Sequence, residues 1–165
     1  MKKKGFTLIE LLIVVGILGV LVGAIAVAIN PLQQFAKANN ARRWADTMNI
    51  MNAISQNIID HQGTFDTSGT DCGGVIPTTD TYIANAASVD YTTYYDLCGC
   101  IVPNYIGSLT VDPVKGSPAG GVNVCTTTYH AYYKIKKDAT SGRITISSPQ
   151  AQSEGGSTPI ISITR

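Results

Sequence analysis

The chain has 165 residues, of which 14% are charged, and its formal net charge is +1. This length favours one folded domain with an appended segment. The near-neutral charge argues against a dedicated nucleic-acid-binding protein and against a highly charged disordered chain.

The first predicted element is an apolar segment that runs from Phe6 to Ile29. As a helix it would be roughly 36 Å long, enough to span a hydrocarbon core of about 30 Å with some tilt. Three lysines precede it, so the positive-inside rule keeps the N-terminus in the cytoplasm and sends the remainder across the membrane. Residues 6–29 are therefore predicted to form a transmembrane helix.

One ionisable residue, Glu10, lies inside this apolar segment, where a charge is costly and indicates a function. The stretch KKKGFTLIE, residues 2–10, resembles the type III signal of prepilins, the precursors of type IV pilins and pseudopilins. The resemblance implies that a prepilin peptidase cuts between Gly5 and Phe6, so that residues 1–5 are a cleaved leader. It also implies that the new N-terminus, Phe6, is N-methylated.

The resemblance further implies that Glu10 serves assembly. Cleavage leaves a positively charged amine on Phe6, and in a filament the Glu10 carboxylate of one subunit can meet the amine of another. Opposite charges attract strongly where the dielectric is low, and each is costly if left alone, so the pair is expected to fix the axial register. The implied partners are copies of the same chain, the prepilin peptidase, a membrane platform protein with its assembly ATPase, and the lipid bilayer.

An ordinary secretory signal peptide is the competing interpretation of the same segment. Ala24-Ile-Ala26 and Ala26-Val-Ala28 both have the A-x-A form of a signal-peptidase site at the end of an apolar core. Glu10 would then have no explanation. This interpretation predicts a secreted or membrane-anchored binding domain that never polymerises.

Four residues of the helix are predicted to make it flexible. Gly16, Gly19 and Gly23 loosen a helix and also let another helix approach closely. Pro31 removes a backbone hydrogen bond and is expected to kink or interrupt a helix that otherwise extends from Phe6 to Ile59.

Residues 30–63 are predicted to form the amphipathic second half of this helix. Small or apolar residues recur there at helical spacing and are expected to pack on the head. They are Ala38, Ala41, Ala45, Met48, Met51, Ile58 and Ile59, with Trp44 and Ile54 beside them. Arg42 and Arg43 are expected to face solvent or lipid headgroups, and Gly63 is expected to be the C′ residue.

Residues 64–165 are predicted to form a globular head, with a variable loop region at 64–128 and an antiparallel sheet at 129–165. YHAYYKIKK and RITISS, separated by DATSG, read as a hairpin, and PIISITR reads as a closing strand. A long helix packed on a small antiparallel sheet is an α+β fold, and the resemblance implies the pilin fold. LTVDPVKG resembles the Asp-Pro turn of major pseudopilins, in which Asp112 can accept bonds from backbone amides.

The four cysteines, Cys72, Cys98, Cys100 and Cys125, are predicted to form disulfides. Cys98 and Cys100 would point the same way on a strand, so each should pair with Cys72 or Cys125, and both connectivities stay open. A head outside the cytoplasm favours two disulfides over one, or over free thiols. The spacing is poor for zinc.

No enzyme, cofactor or metal site is predicted. His130 lies in a tyrosine-rich strand without a nucleophile signature, and calcium needs 6–8 oxygen ligands where the C-terminal part offers one carboxylate, Glu154. Tyr91, Tyr94 and Tyr95 are expected to pack in the head; the alternative is an adhesive surface.

The residues and the resemblance together predict a structural subunit of a type IV pilus-like filament. One alternative is the major pseudopilin of a type II secretion system, and the other is the non-polymerising domain described above. The precursor is expected to cross the cytoplasmic (inner) membrane once, and the filament to be extracellular or periplasmic. No specific nucleic-acid partner is predicted.

Overall fold

The structure is a computed structural model that describes residues 5–28 and 30–165. Most of the predicted leader, residues 1–4, and the predicted end of the transmembrane helix, Ile29, lie outside the described residues. Two long helices precede a small sheet, which is the predicted α+β architecture. The elements are α1 (Leu8–Ala28), α2 (Pro31–Asp60), β1 (Thr81–Ala84), β2 (Tyr94–Tyr95), α3 (Cys98–Ile101), β3 (His130–Lys137), β4 (Ile144–Ser148) and β5 (Ile161–Thr164).

Helix α1 is apolar except for Glu10 in its first turn, and no other part of the described chain covers it. Its 21 residues span about 32 Å, and the window Leu8–Ile25 has a mean hydropathy of 2.8. By length and composition this helix can cross a membrane. The side chains of residues 5–25 are all exposed in the single chain, so lipid or other chains must cover them.

The helical region is interrupted at the predicted place. Helix α1 ends at Ala28, and Pro31 is the first residue of α2. At a first helical position proline loses no hydrogen bond, because that N–H would have no partner in the helix, and its fixed φ suits the first turn. Two helices therefore replace the single element expected from Phe6 to Ile59.

Helix α2 ends at its C-terminus in a Schellman motif. The amide of Gly63 donates to the carbonyl of Ile58 at 2.8 Å, and that of Gln62 to Ile59 at 3.4 Å. Gln62, with φ 56°, is the left-handed C′ residue, and Gly63 follows it. The prediction of Gly63 as the C′ residue is therefore wrong by one position.

The buried face of α2 differs from the predicted one. Met51 and Ile54 are buried as expected, but in the first half of the helix the buried side chains include Asn40, Arg43 and Thr47. Six residues predicted to lie on the packed face are exposed: Ala38, Ala41, Trp44, Ala45, Met48 and Ile59. Asn40 and Arg43 can be buried here because groups on the head provide hydrogen-bond partners, whereas Thr47 Oγ1 donates to the main-chain oxygen of Trp44 within α2.

Arg43 was expected to face solvent or headgroups, and that prediction is wrong. The side chain is 1% exposed; its Nε donates to Asp112 Oδ2 at 2.6 Å and its Nη2 to Asp112 Oδ1 at 3.3 Å. Asp112 also accepts from the amides of Val114 and Lys115, each at 2.9 Å, which confirms its predicted role in the Asp-Pro turn. One carboxylate thus fixes the turn and neutralises the guanidinium of α2.

Further polar contacts extend this junction between α2 and the head. Asn40 Nδ2 donates to the main-chain oxygen of Gln152 and to a carboxylate oxygen of Glu154, both at 2.7 Å. Tyr133 Oη donates to Asp46 Oδ2 at 2.8 Å. Burial raises the pKa of the Asp46 carboxyl, and the bond from Tyr133 partly opposes that rise. We call Asn40, Arg43, Asp46, Asp112 and Tyr133 the polar junction.

The sheet has the strand order β2-β1-β3-β4-β5. The pair β1–β2 is parallel and the other pairs are antiparallel. The predicted hairpin is β3–β4, with Ile135 opposite Ile146, and the predicted closing strand is β5, with Ile163 opposite Ile146. Strands β1 and β2 and helix α3 lie within 64–128. Ile50, Met51 and Ile54 of α2 belong to the same core as the buried residues of the sheet.

Two disulfides hold the segment before β3. Cys72 pairs with Cys100, and Cys98 pairs with Cys125. Cys98 and Cys100 lie on the short helix α3 and not on a strand, so the expected local structure is wrong. The prediction that these two cysteines do not pair with each other is confirmed. Gly99 separates them, and a Cβ there would overlap the main-chain oxygen of Thr70. The CGC turn therefore packs directly against the backbone around Cys72.

Removing the Cys98–Cys125 disulfide should destabilise the head strongly. For Cys98→Ala with Cys125→Ala, we expect the free energy of unfolding to fall by about 3–4 kcal/mol, because the bond closes a loop with a sequence separation of 27. Urea unfolding followed by circular dichroism measures the change. Val124→Ala, at the exposed neighbouring position, is the control and should stay within about 0.5 kcal/mol of wild type. Equal stabilities of the double variant and the control would contradict the expectation.

Candidate functional site

The start of α1 is built as a capping box. The amide of Glu10 donates to Thr7 Oγ1 at 3.3 Å, while the amide and hydroxyl of Thr7 donate to Glu10 Oε2 at 2.9 and 2.7 Å. This reciprocal pattern satisfies helix N-terminal amides that otherwise have no partner. The role of Thr7 was not predicted, although the spacing of Thr7 and Glu10 in Thr7-Leu8-Ile9-Glu10 is the sequence signature of a capping box.

The carboxylate of Glu10 keeps one oxygen available. Both bonds from Thr7 reach Oε2, and among the described residues no hydrogen bond reaches Oε1. An ionised carboxylate has about four acceptor positions on its two oxygens. Glu10 is also exposed, so the same side chain can cap its own helix and accept a bond from a cation on another molecule.

The predicted processing residues lie directly before this box. Gly5 and Phe6 precede the first helical turn and have no regular secondary structure. Phe6 is 85% exposed. Exposed, non-helical backbone is the form in which proteases bind a substrate segment. The structure thus brings Gly5, Phe6 and Glu10 together at one end of α1.

The three glycines of α1 have open surroundings. A Cβ placed on Gly16, Gly19 or Gly23 would have no neighbour within 4 Å. Contacts within the single described chain therefore do not explain glycine at these positions. Small residues on an exposed apolar helix allow the backbone of another helix to approach closely.

Tyr91 and His130, considered from the sequence, contact each other, and Asp138 in the β3–β4 turn is bonded within that turn. Tyr91 is buried and its Oη lies 2.7 Å from Nδ1 of His130, while Tyr95 lies in the main core and Tyr94 is 42% exposed. Asp138 accepts bonds from Thr140 and Ser141 within its own turn. In residues 5–28 and 30–165, no group of three or more His, Cys, Asp or Glu is placed to hold a metal ion.

Comparison with known proteins gives one match, at the N-terminus. Residues 1–26 match the family described as the prokaryotic N-terminal methylation motif. No curated protein and no solved structure matches the chain significantly. The matched segment contains Gly5, Phe6, Glu10 and most of the apolar helix, and therefore covers the site just described.

Proposed function

We propose that this chain belongs to the type IV pilin and pseudopilin family and is a structural subunit of a type IV pilus-like filament; the match of residues 1–26 to the N-terminal methylation motif supports this. The observation that carries the proposal is the Glu10 carboxylate at the start of an uncovered apolar helix, where no described residue donates a hydrogen bond to Oε1. The α+β architecture, with a long second helix packed on a mainly antiparallel sheet, supports it.

Polymerisation would bury the apolar side chains of α1 that are exposed in the single chain. The apolar side chains of α1 have no protein cover, and exposing them to water is unfavourable by about 25 cal/mol per Å². Lipid covers them in a precursor anchored in the inner membrane. In a filament outside that membrane, the α1 helices of other subunits would cover them, with Gly16, Gly19 and Gly23 permitting close contacts.

Glu10 would give this association its register. In the proposed filament its carboxylate meets the N-methylated amine of Phe6 on a neighbouring subunit. An unpaired charge in an apolar helix bundle is costly, so axial positions that leave either group unpaired are disfavoured. The capping box supports this role because Thr7 holds Oε2 and leaves Oε1 to accept from the amine.

The proposed pathway defines the partners. A prepilin peptidase cuts after Gly5, Phe6 is then N-methylated, and a platform protein with a cytoplasmic ATPase moves the subunit from the membrane into the filament. The break before Pro31 and the three glycines would let α1 change its path relative to α2 during that transfer.

A major pseudopilin of a type II secretion system is the second candidate. The observation that favours it is the Asp-Pro turn, in which Asp112 holds the amides of Val114 and Lys115. Electron microscopy of the producing cells separates the two candidates. Long surface filaments that contain this chain support a pilus, and their absence from cells that secrete normally supports a pseudopilus.

Processing should depend on Gly5. Intact mass and N-terminal sequencing of the wild-type protein should give a chain that begins at N-methylated Phe6. Gly5→Leu should leave the leader attached, because the leader of the prepilin signal that this stretch resembles ends in glycine at the cut. Gly16→Ala, within the same helix but away from the cut, is the matched control and should be processed normally. A mature chain that begins near Val27 would mean ordinary secretion and would contradict the proposal.

A further inference from the structure

A cavity of about 430 Å³ lies at the end of the head, between the segment after α2 and the β3–β4 hairpin. The apolar side chains of Ile58, Phe65 and Ile144 line it, together with the hydroxyl-bearing residues Thr64 and Ser141. Its volume is in the range of small-molecule sites, about 300–1,000 Å³. Nothing in the filament proposal uses this cavity.

Three cations line the cavity: Lys137, Arg143 and Arg165. Among the described residues, no carboxylate lies within ion-pair distance of their side chains, and one hydrogen bond, from Arg165 Nη1 to Asn52 at 2.8 Å, involves them. Four other described cations are matched with a carboxylate, while Lys37 and Lys134 are not, and the Nζ of Lys134 lies over the ring of Tyr82. These pairs are Arg42 with Asp46, Arg43 with Asp112, Lys115 with Asp90, and Lys136 with Asp80.

Two acceptors near these cations along the chain already have hydrogen-bond partners. Oδ1 of Asp138, next to Lys137, accepts from the amide and hydroxyl of Ser141 at 2.6 and 2.8 Å and from the amide of Thr140 at 3.0 Å, and these bonds lower the pKa of Asp138. The main-chain oxygen of Arg165 accepts from the amide of Ile144 at 2.7 Å. The lining of the cavity therefore combines three cations with apolar side chains and contains no carboxylate side chain.

We propose that this cavity binds a small organic anion, in which a phosphate, sulfate or carboxylate group is attached to a compact apolar body. The anionic group lies between Lys137 and Arg143, whose exposed side chains can turn toward it, and the apolar body covers Ile58, Phe65 and Ile144. Like charges gathered at one site repel each other, and a bound anion removes that repulsion. Arg guanidinium groups suit oxyanions because they bind two oxygens at once.

The test uses the full chain in a neutral detergent with phenyl phosphate, inorganic phosphate and phenol as probes. We expect phenyl phosphate to cause saturable shifts of the Gly142 and Ile144 amide resonances, and to bind more tightly than either other probe because only it engages both parts of the cavity. Lys137→Gln and Arg143→Gln should each weaken binding about fivefold, the upper range for one exposed charge pair.

Lys136→Gln is the matched control, because Lys136 is adjacent in sequence but its Nζ lies 3.6 Å from Asp80 and outside the cavity. Its affinity should stay within about twofold of wild type. The proposal is overturned if phenyl phosphate gives no saturable shift up to roughly 10 mM, if Lys136→Gln weakens binding as much as Lys137→Gln, or if inorganic phosphate binds equally well. Glu10→Ala should bind phenyl phosphate normally, so a failure of assembly and a failure of this site are distinguishable.

Discussion

Replacing Glu10 with alanine should abolish filaments while the processed subunit still accumulates in the membrane. The variant leaves the Phe6 amine without its proposed partner in an apolar environment. At an effective dielectric constant of about 20, a charge pair at 4 Å contributes on the order of 4 kcal/mol, and every subunit contact would lose it. Electron microscopy of material sheared from the cell surface measures the filaments, and immunoblots of membrane fractions measure the processed subunit.

Thr7→Val is the matched control because it tests the capping box without removing the carboxylate. The variant loses the hydroxyl that accepts from the Glu10 amide and donates to Oε2, which costs α1 about 1 kcal/mol. We expect filaments to persist. If Thr7→Val abolished filaments as completely as Glu10→Ala, capping would explain Glu10 and the inter-subunit pair would be wrong. Normal filaments from Glu10→Ala would reject polymerisation through this residue altogether.

Arg43→Met should be the most destabilising single substitution in α2. It leaves the Asp112 carboxylate buried without a counter-charge, for which we expect a loss of about 3–5 kcal/mol in the free energy of unfolding. For a head of this size that loss lowers Tm by more than about 12 °C. Thermal unfolding followed by the near-ultraviolet circular dichroism of the buried tyrosines measures it.

Arg42→Met is the neighbouring control. The Arg42 side chain is 55% exposed and its Nε lies 3.9 Å from Asp46, so its loss should cost less than about 1 kcal/mol. Similar effects of the two substitutions would contradict the assignment of the Arg43–Asp112 pair as the centre of the polar junction. Asp112→Asn should also destabilise the head, because it leaves the buried guanidinium of Arg43 without a counter-charge.

Local patterns in the sequence were sufficient to predict several elements. Alternation of apolar and polar residues identified the β3–β4 hairpin and β5, because one face of each strand is buried. The apolar run identified α1, and the geometry of proline located the break before Pro31. The Asp112 turn was also predicted correctly, since Asp-Pro chemistry acts within a few residues.

Features that depend on distant partners were not predictable. Arg43 reads as a surface residue until the position of Asp112, 69 residues later, is known. The buried face of α2 was not predictable for the same reason. Asn40 is buried at a position where an apolar side chain would be expected, because Gln152 and Glu154 lie opposite it and accept its hydrogen bonds. The disulfide connectivity also required the three-dimensional position of the CGC turn.

The two disulfides also determine how the head responds to a pulling force. Cys98 and Cys100 are two residues apart, and each is bonded to the far end of a different loop. Without these bonds, the stretch of roughly 50 residues from Cys72 to Cys125 could lengthen to about 180 Å when pulled straight. With them, tension passes from Cys72 through Cys100 and Cys98 to Cys125, so covalent bonds carry the load and the loops between them stay slack.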